Sequence, residues 1–138
     1  MHYEVSCTVK VPKLKAYSAY TDFEATPRWS RRSGTVRMVR REGGTARLEM
    51  ESKGRTIFRE MKLFPPERVE SEGETRFTRT KNTVIFEEVP AGTKVTASLD
   101  VYVKGRWGWV FRTGNNAETE SSALEELASF ARYVEGLP

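Results

Sequence analysis

Acid–base chemistry needs an ionisable side chain held near a reacting atom, and this sequence offers few candidates. Its one histidine, His2, stands next to the N-terminus, where chain ends fray, so histidine catalysis is not expected. One cysteine, Cys7, leaves no partner for an internal disulfide and no cysteine cluster for a metal. It falls on the apolar face of an alternating segment, where a small buried thiol is the default. Asp22 follows a helical stretch, and a short carboxylate there bonds local backbone N–H groups. Asp100 and Tyr102 alternate with apolar residues and should face solvent. Glu60 has two readings. If Phe58 points inward, Glu60 does too, and a buried carboxylate with a raised pKa would suggest function; otherwise it is a solvated strand residue. No serine, cysteine and histidine arrangement resembles a nucleophilic triad. No catalytic residue, metal site or cofactor is assigned.

Binding chemistry is better supplied. Trp29, Phe58, Phe64, Phe77, Phe86, Trp107, Trp109, Phe111 and Phe130 are many aromatics for 138 residues. With Met38, Met50 and Met61 they would line an apolar ligand cavity or else fill an ordinary core. Trp107-Gly108-Trp109-Val110-Phe111 is the sharpest local feature. Its rings would line or gate a pocket, plug a helix start, or dock a partner or membrane surface as an exposed patch. The basic run Arg28, Arg31, Arg32, Arg37, Arg40 and Arg41 would suit an anionic headgroup, a phosphate or nucleic acid. No nucleic-acid reader motif accompanies it. Glu67, Glu70, Glu72 and Glu74 are available for pairing, so a solvated, ion-paired surface is the expectation.

The elements that position these residues follow from periodicity. Tyr3, Val5, Cys7, Val9 and Val11 alternate with polar residues as a half-buried strand, and Pro12 suits the first turn of a following helix. Lys13 to Phe23 carries Leu14, Tyr17 and Tyr20 or Thr21 at helical spacing. Asp22 to Pro27 reads as a break, and Arg28 to Ser33 as a second short helix or loop holding Trp29. Val36–Arg41 and Thr45–Ser52 flank the hairpin signal Glu42-Gly43-Gly44. Arg55–Phe64 has ambiguous parity, Ile57, Met61 and Leu63 competing with Phe58 and Phe64, as around a bulge. Arg68–Glu72, Phe77–Thr80 and Thr83–Glu88 are shorter strands, with breaks at Gly73 and Lys81-Asn82. After the turn Val89–Thr93, Val95, Ala97, Leu99, Val101 and Val103 alternate cleanly. Leu124, Leu127, Ala128, Ala131 and Val134 make a helical stripe, broadened by Phe130 and Tyr133, while Glu118, Glu120, Glu125, Glu126 and Arg132 stay on the polar side. The helix begins near Arg106 or after Gly114-Asn115-Asn116.

The order is α+β: a strand, short helices, about six strands in meander, then a long helix. Seven strands at ~4.8 Å spacing span roughly 30 Å, more than one helix of ~10–12 Å can cover. The antiparallel sheet must therefore curl round the C-terminal helix, leaving space to be filled by aromatics or kept as a cavity. At 138 residues the chain is expected to form one domain, 1–138. Its longest stretch without a polar residue is the five residues 107–111, too short to cross a bilayer. The N-terminus lacks the basic and apolar regions of a signal peptide, so a soluble, cytoplasmic protein is expected. Glu (17) far outnumbers Asp (2), Arg (15) outnumbers Lys (8), and Gln is absent. Heat-adapted proteins share that habit; melting below about 60 °C, ordinary for mesophile domains, would speak against it.

Several stretches together resemble a known family. A strand ending in Val11-Pro12, a helix leading to Asp22-Phe23-Glu24 and then Pro27-x-Trp29 is similar to the opening of the polyketide cyclase/dehydrase and lipid-transport family, within the START and birch-pollen-allergen-like (SRPBCC) superfamily. Leu63-Phe64-Pro65-Pro66-Glu67-Arg68-Val69, Gly92-Thr93-Lys94-Val95-Thr96 and the terminal Leu127 to Glu135 are similar too. The resemblance implies a helix-grip fold, with two short helices after the first strand and a curved antiparallel sheet round the long helix. It also implies an apolar cavity, for which Trp29, Met50, Phe58, Phe64, Phe86, Leu99, Trp107, Phe111, Leu127 and Phe130 are the candidate lining residues. The function implied is binding or carriage of a small hydrophobic molecule such as a lipid, isoprenoid, quinone or polyketide-like compound. The alternatives are a cyclase or dehydrase using the same cavity, and a regulatory interaction module. No nucleic-acid partner or transmembrane segment is expected. Transient membrane contact and a monomer or homodimer remain open.

Overall fold

A computed structural model describes residues 2–30, 34–52, 54–74, 78–103 and 116–138. Seven strands form one antiparallel sheet: β1 (His2–Val9), β2 (Thr35–Glu42), β3 (Thr45–Ser52), β4 (Arg55–Phe64), β5 (Arg68–Glu74), β6 (Thr78–Val89) and β7 (Gly92–Val103). Their order across the sheet is β1-β7-β6-β5-β4-β3-β2. Helix α1 (Lys13–Tyr20) and a 3₁₀ turn (Phe23–Arg28) follow β1, and the long helix α2 (Asn116–Glu135) closes the chain.

The strands form where alternation is cleanest. Tyr3, Val5 and Cys7 of β1 stand opposite Leu99, Ala97 and Val95 of β7, so the apolar faces of both strands coincide. In β6 the expected break at Lys81-Asn82 does not occur. Asn82 pairs with Ser71 on one side and Leu99 on the other, and two ladders hold a dipeptide that local propensity would release. Gly73 likewise continues β5 rather than ending it. At the β6–β7 hairpin, Gly92 has φ +143°, and a Cβ there would meet the Val9 carbonyl oxygen at 2.2 Å. Glycine lets this turn pack against the end of β1.

The parity of β4 is settled in favour of Met61 and Leu63, which are buried. Phe58 and Phe64 take the convex outer face, with 54% and 37% of their surface exposed. Glu60 goes out with Phe58. Arginines cover both rings, Arg47 lying 5.0 Å from the Phe58 centroid and Arg68 4.0 Å from that of Phe64. The bulge expected in this region lies instead in β2, between Met38 and Arg40.

The helices also depart from expectation in detail. α1 stops at Thr21, whose hydroxyl donates to the Tyr17 carbonyl at 2.9 Å, and Leu14 faces out. The segment read as a break is the 3₁₀ turn, with Pro27 inside it and Asp22 at its N-cap. The Asp22 side chain makes no capping bond. In α2 the buried residues are Ala123, Leu127, Phe130 and Val134, while Leu124 is exposed. The buried stripe is thus turned by one residue at its N-terminal end, toward the side that carries Glu126.

Charges on the outer face pair across and along strands. Arg37 of β2 bonds Glu49 opposite it on β3, and Arg40 bonds Glu42 two residues along its own strand. The acids expected as partners are engaged elsewhere, Glu67 with Lys13 and Glu70 with Arg68. Arg31 and Arg32 lie outside the described residues. His2 belongs to β1 rather than to a frayed end, its Nδ1 lying 2.5 Å from Asp100 Oδ1. No helix among the described residues is long and apolar enough to cross a membrane.

Candidate functional site

The inner faces of β4 to β7 carry their side chains in rows that grow more polar along the strands. The first row is Leu63, Val69, Val84 and Ala97, each opposite the next. The second is Met61, Ser71, Asn82 and Leu99. In the third, Gly73 stands opposite Thr80 and Thr80 opposite Val101, with Arg59 arriving from β4. Facing these rows are Tyr20 and Phe23, then Trp29 and Ser30 after the 3₁₀ turn, and Ala123, Glu126 and Leu127 of α2. Between the two walls lies a cavity of about 430 Å³, within the ~300–1,000 Å³ of small-molecule pockets.

An aromatic cluster packs beside the cavity. Tyr20 meets Phe86 at 5.7 Å and Phe130 at 5.6 Å, both edge to face, and Trp29 packs on Phe130 at 5.0 Å. Such pairs add about 0.5–1.5 kcal/mol beyond area burial. Phe86 and Phe130 are fully buried.

Two opposite charges act on one hydroxyl in this space. Burial first and the Glu126 carboxylate second push the Tyr20 phenol up to about 12, against the opposing Arg59 guanidinium. Tyr20 therefore stays a neutral hydroxyl through the physiological range. The Ser30 hydroxyl donates to the Glu126 carboxylate, tying α2 to the residue after the 3₁₀ turn. The Cys7 thiol lies 3.7 Å from the Leu127 carbonyl oxygen; burial, and then Glu135, push its pKa up, so it carries little thiolate character. Among the described residues no group of three or more potential metal ligands occurs.

Of the candidate lining residues, Trp29, Met50, Leu99 and Leu127 border the cavity. Phe86 and Phe130 belong to the packed cluster beside it, Phe58 and Phe64 lie on the convex face, and Trp107, Trp109, Phe111 and Phe77 lie outside the described residues. Sequence reasoning missed Arg59, Glu126 and Tyr20 as cavity groups. Arg59 shares the parity of Met61 and Leu63, and choosing that parity would have found it. Glu126 had no such signal, since it lies at the margin of the helical stripe.

The protein-family model described as polyketide cyclase / dehydrase and lipid transport matches residues 1–135. Among solved structures, TTHA0849 from Thermus thermophilus is 18% identical, covers 97% of each chain and superposes with a TM-score of 0.78. The Zhui aromatase/cyclase from Streptomyces sp. R1128 is 15% identical over 98% of this chain and 93% of its own, with a TM-score of 0.73. A START superfamily protein from Mycobacterium smegmatis is 19% identical over 98% of this chain and 94% of its own, with a TM-score of 0.64. These likenesses are ones of fold, the helix-grip arrangement of a curved sheet round a C-terminal helix. No curated protein sequence matches the chain.

Proposed function

From the polyketide cyclase / dehydrase and lipid transport family, to which the chain belongs, we propose that this protein binds a small hydrophobic ligand in the cavity between sheet and α2. The observation that carries the reading is the space itself. Phe86 and Phe130 complete a closed aromatic core, yet about 430 Å³ stays open beside them, walled by Leu48, Met50, Met61, Val84, Leu99 and Leu127. Side chains bordering a void forfeit dispersion contacts, which a ligand of matching shape restores. Apolar area would drive affinity at about 25 cal/mol per Å² buried. The volume suits a single chain or a few fused rings better than a two-chain lipid, so an isoprenoid, quinone, fatty acid or polyketide-like molecule fits the reading. The cross-strand ion pairs Arg37–Glu49 and Arg47–Glu60 support heat adaptation as a further part of it.

A second reading is favoured by one observation, the convergence of Arg59, Glu126 and Tyr20 on the same cavity. In a cyclase acting on a chain of alternating carbonyls, Glu126 would accept the proton of a carbon between two carbonyls. Arg59 would hold the enolate oxygen so formed, and that carbon would attack a distant carbonyl of the same chain. Tyr20 would donate a hydrogen bond to the oxygen of the attacked carbonyl, and the alkoxide formed there would take up the proton that Glu126 accepted, leaving a hydroxyl on the product and the carboxylate restored.

Titration with N-phenyl-1-naphthylamine, a neutral apolar fluorophore, separates these readings from a filled core. Saturable binding at one probe per chain is expected, and Glu126→Gln should bind it equally well. Absence of saturable binding would leave no role for the cavity.

A further inference from the structure

Gly73 is an interior residue of β5 whose backbone does not require glycine, since its φ lies outside the left-handed region. A bare position in a strand often marks the close approach of another group, and here that group can be named. A Cβ at Gly73 would lie 3.0 Å from Thr80 Oγ1 and 3.5 Å from Arg59 Nη2. The Thr80 hydroxyl donates to the Gly73 carbonyl at 3.3 Å, which fixes its rotamer on the same face. Pairing between β4 and β5 runs from Phe64↔Arg68 to Glu60↔Glu72, so Arg59 comes one step after the last ladder pair. Its guanidinium lies at van der Waals distance from the place a Gly73 side chain would begin, where the branches of a larger side chain would meet it, and its charge reaches Tyr20 across the cavity. Among the described residues no carboxylate forms an ion pair with Arg59. The cavity, whose Glu126 carboxylate is engaged by the Ser30 hydroxyl, thus carries in Arg59 a cation with no ion-pair partner, and hydrogen bonds from a guanidinium to an anion are among the strong ones.

We propose that Gly73 is a specificity-determining position: its missing side chain is the berth that holds Arg59 along the cavity wall beside Thr80, and through Arg59 it makes the cavity prefer an anionic ligand over a neutral one of the same shape. This rests on the reading that the cavity binds an apolar molecule. The ligand class it names is an apolar body carrying one carboxylate, sulfonate or enolate-type oxyanion. Gly73 acts through Arg59 and need not touch the ligand.

The test uses two fluorophores of one ring framework, 8-anilinonaphthalene-1-sulfonate and the neutral N-phenyl-1-naphthylamine, titrated into the full chain. The quantity read is the ratio of their affinities at the one-per-chain site. Arg59→Met is expected to lower the sulfonate preference by about tenfold or more. Gly73→Val should lower it comparably, and Gly73→Ala less, because alanine crowds Thr80 more than Arg59. The double variant should lose no more than Arg59→Met alone, the non-additivity expected of positions acting as one unit. Saturable one-per-chain binding of the neutral probe by every variant shows that fold and cavity persist. If the neutral probe fails to bind the parent protein, the cavity reading itself fails. If it binds and Gly73→Val leaves the ratio of the parent while Arg59→Met changes it, the assignment of Gly73 is wrong. An unchanged ratio in Arg59→Met overturns the assignment as well.

Discussion

Replacing Phe130 by alanine is expected to lower the unfolding free energy by about 3–5 kcal/mol. Phe130 has no exposed surface and lies in the C-terminal half of α2, its ring against Trp29 at 5.0 Å and Tyr20 at 5.6 Å. Truncation removes the transfer free energy of the ring and adds a void next to an existing cavity. The walls there have little to collapse onto, which places the cost in the upper part of that range. Since domains of this kind are stable by only about 5–15 kcal/mol, the variant should unfold at markedly lower urea concentration. Phe58→Ala is the control. That ring is half-exposed on the convex face under Arg47, and its loss should cost under about 1 kcal/mol. Equal costs for the two would mean that the aromatic cluster is not the core of the fold.

Ala97→Phe should weaken binding of N-phenyl-1-naphthylamine by about a hundredfold without lowering the melting temperature. Ala97 lies on β7 opposite Val5 and Val84 and borders the cavity. A phenyl group there enters space a ligand would use, and aromatic residues suit strand backbone. Losing room for even a few ring carbons removes their share of burial at about 0.8 kcal/mol per methylene equivalent, and a hundredfold is about 2.7 kcal/mol. Calorimetric titration beside a melting curve reads both effects. Unchanged binding would put the probe outside this cavity.

The fold was legible because its strongest signals are long. The clean alternation of β1 and β7 and the stripe of α2 each run through several residues, and together with the hairpin signals they leave one way to cover the sheet. Detail was lost where two patterns competed. In β4 the large rings of Phe58 and Phe64 drew the reading toward the wrong face. Size is a poor guide when an arginine can cover a ring in water. In β6 a polar dipeptide read as a break, whereas its backbone is held by strands on both sides. In α2, starting the stripe at Leu124 put Glu126 in solvent, whereas Ala123 is the buried residue and Leu124 is exposed. The smaller side chain is buried because the cavity group Glu126 and Leu127 follow it on the same side. The polar members of the site were hardest to see, since charged residues signal surface by composition and only their parity betrays an inward position.

The most direct test of the central claim is native mass spectrometry of the purified chain, followed by solvent extraction of whatever accompanies it. The account predicts a stoichiometric apolar molecule, one per chain, released on denaturation and lost from Ala97→Phe. A chain that carries nothing, and whose melting temperature no member of a panel of fatty acids, isoprenoids, quinones and polyketide-like aromatics raises, would contradict it.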